Sequence, residues 1–147
     1  MYCHAHDTGR AQPLVRWHLA APPLAGPLDR AFSALLDDLA ARGLLDETLV
    51  VWMGEFGRAP LIEREGGRGH WARCYSVVLA GGGIRAGMVH GRSDRRAAYP
   101  IDGAVSPQDV VTTIYHCLGI ATDTELTDAL GRPVRLCQGE VIQSVVG

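Results

Sequence analysis

An α/β fold is predicted by three segments of the 147-residue sequence. Residues 48–53 (TLVVWM) form a continuous apolar run rich in β-branched side chains. That is the pattern of a strand buried on both faces, as in a parallel sheet covered by helices. An amphipathic helix precedes the run across a short loop, and a second, strongly capped helix begins near Ser106. Helix, short loop and buried strand in succession are what layered α/β domains are built from.

The first helix is predicted over residues 27–42. Leu28, Ala31, Phe32, Leu35, Leu36 and Leu39 make one apolar stripe at helical spacing. Pro27 suits the first helical position, and Gly43 followed by apolar Leu44 suits the stop. Residues 54–69 read as a glycine-rich loop, residues 75–80 as a second buried strand ended by Gly81-Gly82-Gly83, and residues 88–90 as a short strand. Ser106-Pro107-Gln108-Asp109 starts the second helix, with Ser106 as cap and Asp109 three positions on. Its apolar face is read as Val110, Val111, Ile114, Tyr115 and Leu118, and Gly119 ends it. Residues 1–25 are read as an irregular N-terminal segment, and residues 26–147 as one domain.

Composition excludes several classes. The chain is 47% hydrophobic and 20% charged, which is globular rather than disordered. A net charge of -2 gives no field to attract nucleic acid. No segment approaches the roughly 20 apolar residues of a membrane helix. The first ten residues lack a signal pattern, so the chain reads as cytoplasmic. All 14 basic residues are arginine. Every fixed cation is therefore a planar fork suited to carboxylate, phosphate or sulfate, and lysine chemistry is excluded. Cys3, Cys74, Cys117 and Cys137 form no metal-binding pair. They read as buried thiols, and export would allow one disulfide.

Three places can carry chemistry. Glu55 and Arg58 lie in Gly54-Glu55-Phe56-Gly57-Arg58, beyond the C-terminal end of the first strand, where ligands bind in open α/β sheets. There a carboxylate can bind metal and an arginine can clamp an oxyanion, or the two can simply fix a loop. His70 follows a second glycine-rich stretch; it is either a metal ligand or acid–base group, or a surface histidine. Asp7, with His4 and His6, offers further metal donors or belongs to a frayed terminus. Arg92, Asp94, Arg95 and Arg96 read as a solvated charged loop, and His116 as a helix histidine. No serine stands in a G-x-S-x-G elbow.

The stretches from Leu44 to Pro60 (LLDETLVVWMGEFGRAP) and from Gly66 to Arg85 (GGRGHWARCYSVVLAGGGIR) resemble the bacterial family called domain of unknown function 1501. Tyr99-Pro100, Thr113 to His116, Leu118-Gly119 and Leu130 to Pro133 fit it too. That family is similar to sulfatases and to the alkaline phosphatase-like superfamily. The resemblance implies a three-layer α/β/α sandwich, of which this chain would be the C-terminal portion, and metal-dependent hydrolysis of phosphate or sulfate esters, small-molecule or glycan. It implies a divalent ion (zinc, calcium or manganese) held by Glu55 and His70, with Asp7 as a further ligand. Arg58, or Arg68, would steady the developing anion. Phe56 stands where the superfamily has a ligand histidine, and Gly9 where the family has a histidine after Asp7-Thr8. The nucleophile region is missing from this reading, so little turnover by the chain alone is expected. The competing expectation is a noncatalytic remnant or binding module of the same fold.

Overall fold

The computed structural model describes the backbone of Cys3 and His4, residues 25–64 and residues 67–147. Strand β1 is Cys3–His4, helix α1 is Ala25–Ala41, and strand β2 is Leu49–Trp52. Strands β3 (Gly57–Arg58) and β4 (His70–Trp71) form a hairpin, followed by β5 (Val77–Gly81) and β6 (Val89–His90). Strands β7 (Arg92–Ser93) and β8 (Pro100–Asp102) lead to helix α2 (Pro107–Cys117). Strands β9 (Glu125–Thr127) and β10 (Pro133–Arg135) come last. No helix among the described residues is long and apolar enough to cross a membrane.

The three-layer α/β/α sandwich is not what these elements build. The largest sheet has four strands in the order β2-β5-β1-β6, and β2 runs antiparallel to β5. Among the described residues its one parallel pair is β1 with β5. The other sheets are two-stranded antiparallel ribbons. A sandwich of parallel strands needs crossover helices between them. Here β2 reaches β5 through the β3–β4 hairpin instead. The apolar run at residues 48–53 is correspondingly an edge strand, not a doubly buried one: Leu49, Val50 and Val51 are half-buried and Trp52 is exposed. A short apolar run does not by itself distinguish an edge from a centre. Cys3–His4 adds a strand to a segment in which no periodicity is visible.

Both helices form where their end signals lie. Gly43 takes φ +68°, its N–H donates to Ala40, and Leu44 N–H donates to Leu39 at 2.8 Å. This is the paired stop that a glycine just past a helix permits. At α2, Asp109 N–H donates to Ser106 Oγ, and Ser106 N–H donates to Asp109 Oδ2 at 2.7 Å, closing the capping box.

The core gathers Val77, Leu79, Val110, Ile142 and Val145, each at most 6% exposed. α2 packs on it through Val110 and Ile114, as its apolar stripe predicts, but the face is rotated from that stripe. Val111 and Leu118 are exposed, whereas Thr112 and Thr113 are fully buried. Thr113 Oγ1 explains the rotation. It donates to Asp109 O at 2.7 Å and accepts from Ile142 N–H at 3.0 Å, tying the C-terminal segment to the helix. α1 is held more lightly: Leu36 is its buried residue, and Phe32 packs on Trp52 with ring centroids 5.3 Å apart.

Candidate functional site

The glycine-rich loop predicted over residues 54–69 contains one strand of a hairpin, and the second strand follows it directly. Gly57 pairs with Trp71, and Arg58 pairs with His70. Side chains alternate between the two sides of a strand, and directly opposed residues share a side. Gly57 and Trp71 therefore face inward, while Arg58 and His70 face outward together.

The inward side explains the residue types. A Cβ on Gly57 would meet Cys74 O at 2.0 Å and Trp71 O at 3.0 Å, so only glycine fits there. Trp71 donates its indole N–H to Ala98 O at 2.6 Å and meets the Tyr99 ring edge-on at 5.6 Å. Ala98 N–H in turn donates to Asp94 Oδ1 at 2.9 Å, as does Arg96 N–H at 3.0 Å. The charged loop around Asp94 is thus not merely solvated. Asp94 shapes the turn that anchors Trp71, and Trp71 fixes its neighbour His70.

On the outward side, Phe56 lies beside both partners. Its ring centroid is 4.1 Å from that of His70 and 5.7 Å from the Arg58 guanidinium carbon. An arginine over an aromatic face is favourably placed and loses part of its freedom before any ligand arrives. Phe56 thus forms a platform beside both side chains. The result is an exposed guanidinium next to an exposed imidazole on one rigid edge. Their N–H groups can donate to a tetrahedral or planar oxyanion.

Arg68 also lies beside this face. Its guanidinium donates to Ala59 O at 2.9 Å and to Pro60 O, closing the hairpin loop. A shallow recess beside it is lined by Arg58, Ile62, Gly67 and Arg68.

The resemblance implies a divalent metal held by Glu55, His70 and Asp7, of which Asp7 lies outside the described residues. Among the described residues no group of three or more His, Cys, Asp or Glu side chains is gathered for a metal. His70 stands in register with a permanent cation, Arg58. Opposed side chains start about 5 Å apart. Glu55 is exposed beside this pair in sequence.

One pairing had no signal in the sequence. Ser144 and His90 lie 54 positions apart, yet Ser144 Oγ is 2.6 Å from His90 Nδ1. His116, by contrast, stays exposed on α2.

A family model described as a protein of unknown function, DUF1501, matches residues 18–146, and the chain belongs to that family. No curated protein and no solved structure matches the chain.

Proposed function

We propose that this member of the DUF1501 family uses the outward face of its β3–β4 hairpin as an oxyanion subsite, and that the anion is the phosphate or sulfate group of an ester, as in sulfatase-like hydrolases. The supporting observation is the register of Arg58 against His70, with Phe56 beside both. Two donors of opposite geometry, one a fork and one a ring edge, converge where water still reaches. A charge-assisted hydrogen bond is roughly twice as strong as a neutral one, so arginine carries most of the affinity and His70 adds direction. In the reaction, both would favour the anion as charge builds on it. The face supplies no nucleophile of its own, and no step is assigned to one.

The test is calorimetric titration of inorganic phosphate and sulfate into the chain, Arg58→Ala and His70→Ala at constant ionic strength. Affinity is expected to fall at least tenfold in Arg58→Ala and less in His70→Ala. Equal affinity in Arg58→Ala would remove the subsite. An aryl phosphate and an aryl sulfate then separate hydrolase from binding module. Turnover that disappears in Arg58→Ala supports the hydrolase, and binding without turnover supports a noncatalytic anion-binding module.

A further inference from the structure

Ser144 and His90 lie outside the hairpin face, and their pairing is independent of it. Ser144 Oγ and His90 Nδ1 are 2.6 Å apart, and the contact is half-buried. A hydroxyl and an imidazole nitrogen at that distance are within the reach that a nucleophile and its base require. A hydrogen bond between two solvated side chains would share the distance but not the supports, which are backbone hydrogen bonds on both sides.

Ser144 sits in a turn between two core residues, Ile142 and Val145, which are 6% and 1% exposed. Val145 N–H donates to Ile142 O at 3.0 Å, closing that turn. Ile142 N–H is held by Thr113 Oγ1, and Val145 O accepts from Arg85 N–H at 2.8 Å. Val146 pairs with Ile84, and Gly147 N–H donates to Gly83 O. On the other side, His90 belongs to β6, and its backbone pairs with Cys3 in β1. A Cβ on Gly103 would approach the Gly91 backbone to 2.8 Å and His90 Nε2 to 3.2 Å. Glycine there leaves a notch that seats the ring and keeps room at Nε2.

We propose that Ser144 is a nucleophile activated by His90, taking the acyl group of small uncharged carboxylic esters. Neutral substrates are favoured because neither member of the pair needs a charge in the resting state. In the neutral tautomer with its proton on Nε2, the imidazole accepts at Nδ1. As the Oγ–carbonyl bond forms, the Oγ proton moves to Nδ1 and the carbonyl electron pair moves to oxygen. When the carbonyl re-forms, the C–O bond to the alcohol breaks, and the departing oxygen takes the proton from Nδ1. Water then repeats the two steps on the acyl-serine, releasing the carboxylic acid and restoring Ser144.

The experiment mixes the whole chain with p-nitrophenyl acetate, follows nitrophenolate release, and locates the acetyl group by peptide mass spectrometry. One acetyl group on Ser144 and a stoichiometric burst are expected. Ser144→Ala loses both. General-base assistance contributes about 100-fold or more. His90→Gln keeps an acceptor for the hydroxyl but is not a base, so its burst is expected to slow about 100-fold with an unchanged melt. Acetyl found only on other residues, no acetyl at all, or an equal rate in His90→Gln overturns the assignment. Should a variant not fold, the position of the label in the unaltered chain decides alone.

Discussion

The α2 core and the β3–β4 hairpin use the same kind of contact to opposite ends. Around α2, polar groups are turned inward and consumed. Asp109 accepts from Ser106 N–H and from Glu140 N–H, and Thr113 bridges the helix to Ile142. At the hairpin the inward side is equally fixed, by Gly57 and by the Trp71–Ala98 bond, but the donors are left outside, on Phe56. A region whose hydrogen bonds close on themselves supplies stability. A region with a fixed back and unspent donors in front supplies a place for a ligand.

Substitutions that strike the two regions should separate those roles. The largest effect on stability is expected from Leu79→Ala, which empties a fully enclosed site beside α2. A loss of about 2–5 kcal/mol in denaturant unfolding is predicted, and a loss under about 1 kcal/mol would mean that Leu79 does not sit at the centre of the core. Asp109→Ala comes next, because two backbone N–H groups lose their acceptor. At about 1–3 kcal/mol for an unsatisfied donor, a loss of about 2 kcal/mol is expected.

The same carboxylate gives a pH dependence. Burial alone raises the Asp109 pKa, but hydrogen bonds from Glu140 N–H and from Ser106 outweigh it and hold the group below its ordinary value. A depressed folded pKa contributes stability that is present above the ordinary carboxylate value and is lost as pH falls through the folded one. Acid unfolding of the native chain should therefore be steeper than that of Asp109→Asn, and matching acid limbs would contradict it.

A smaller effect of opposite sign is expected at Thr112, whose hydroxyl is buried without a hydrogen-bond partner among the described residues. Thr112→Val should raise stability by about 1 kcal/mol, since it removes an unsatisfied group and keeps the shape. Arg58→Ala should be nearly silent in the same melt, within about 0.5 kcal/mol, as exposed substitutions usually are. Zinc, calcium or manganese should leave the melt unmoved as well. A metal-dependent rise that is lost in His70→Ala would restore the metal reading.

Much of the local structure was legible in the sequence. Ser106, Pro107 and Asp109 announced α2, Gly43 announced the end of α1, and the apolar runs announced β2 and β5. Their partners were not legible. Periodicity says that residues 48–53 want burial but not whether the neighbour runs parallel, and the antiparallel β2–β5 pairing overturned the sandwich. The apolar stripe of α2 did indicate Val110, but not that Thr112 and Thr113 would be buried beside it, where Thr113 bonds to Ile142, 29 positions away.

The candidate site shows the same division. Arg58 and His70 were singled out separately, and the structure set them in register with one another. The strict alternation of Phe56, Gly57 and Arg58 was the available signal for that hairpin, hidden by so many glycines. Phe56 lies beside His70, and Arg68 donates to the loop carbonyls of Ala59 and Pro60, contacts that spacing alone does not show. Ser144 and His90 left no trace in spacing, because the chain brings them together only after β6 and the C-terminal segment have folded.

The most direct measurement of the central claim is the imidazole NMR signal of His70 during addition of sulfate, in the native chain and in Arg58→Ala. A shift that saturates in the native chain and vanishes in Arg58→Ala is predicted, because the two side chains take the anion together. A His70 signal that ignores sulfate, or that responds equally without Arg58, would contradict it.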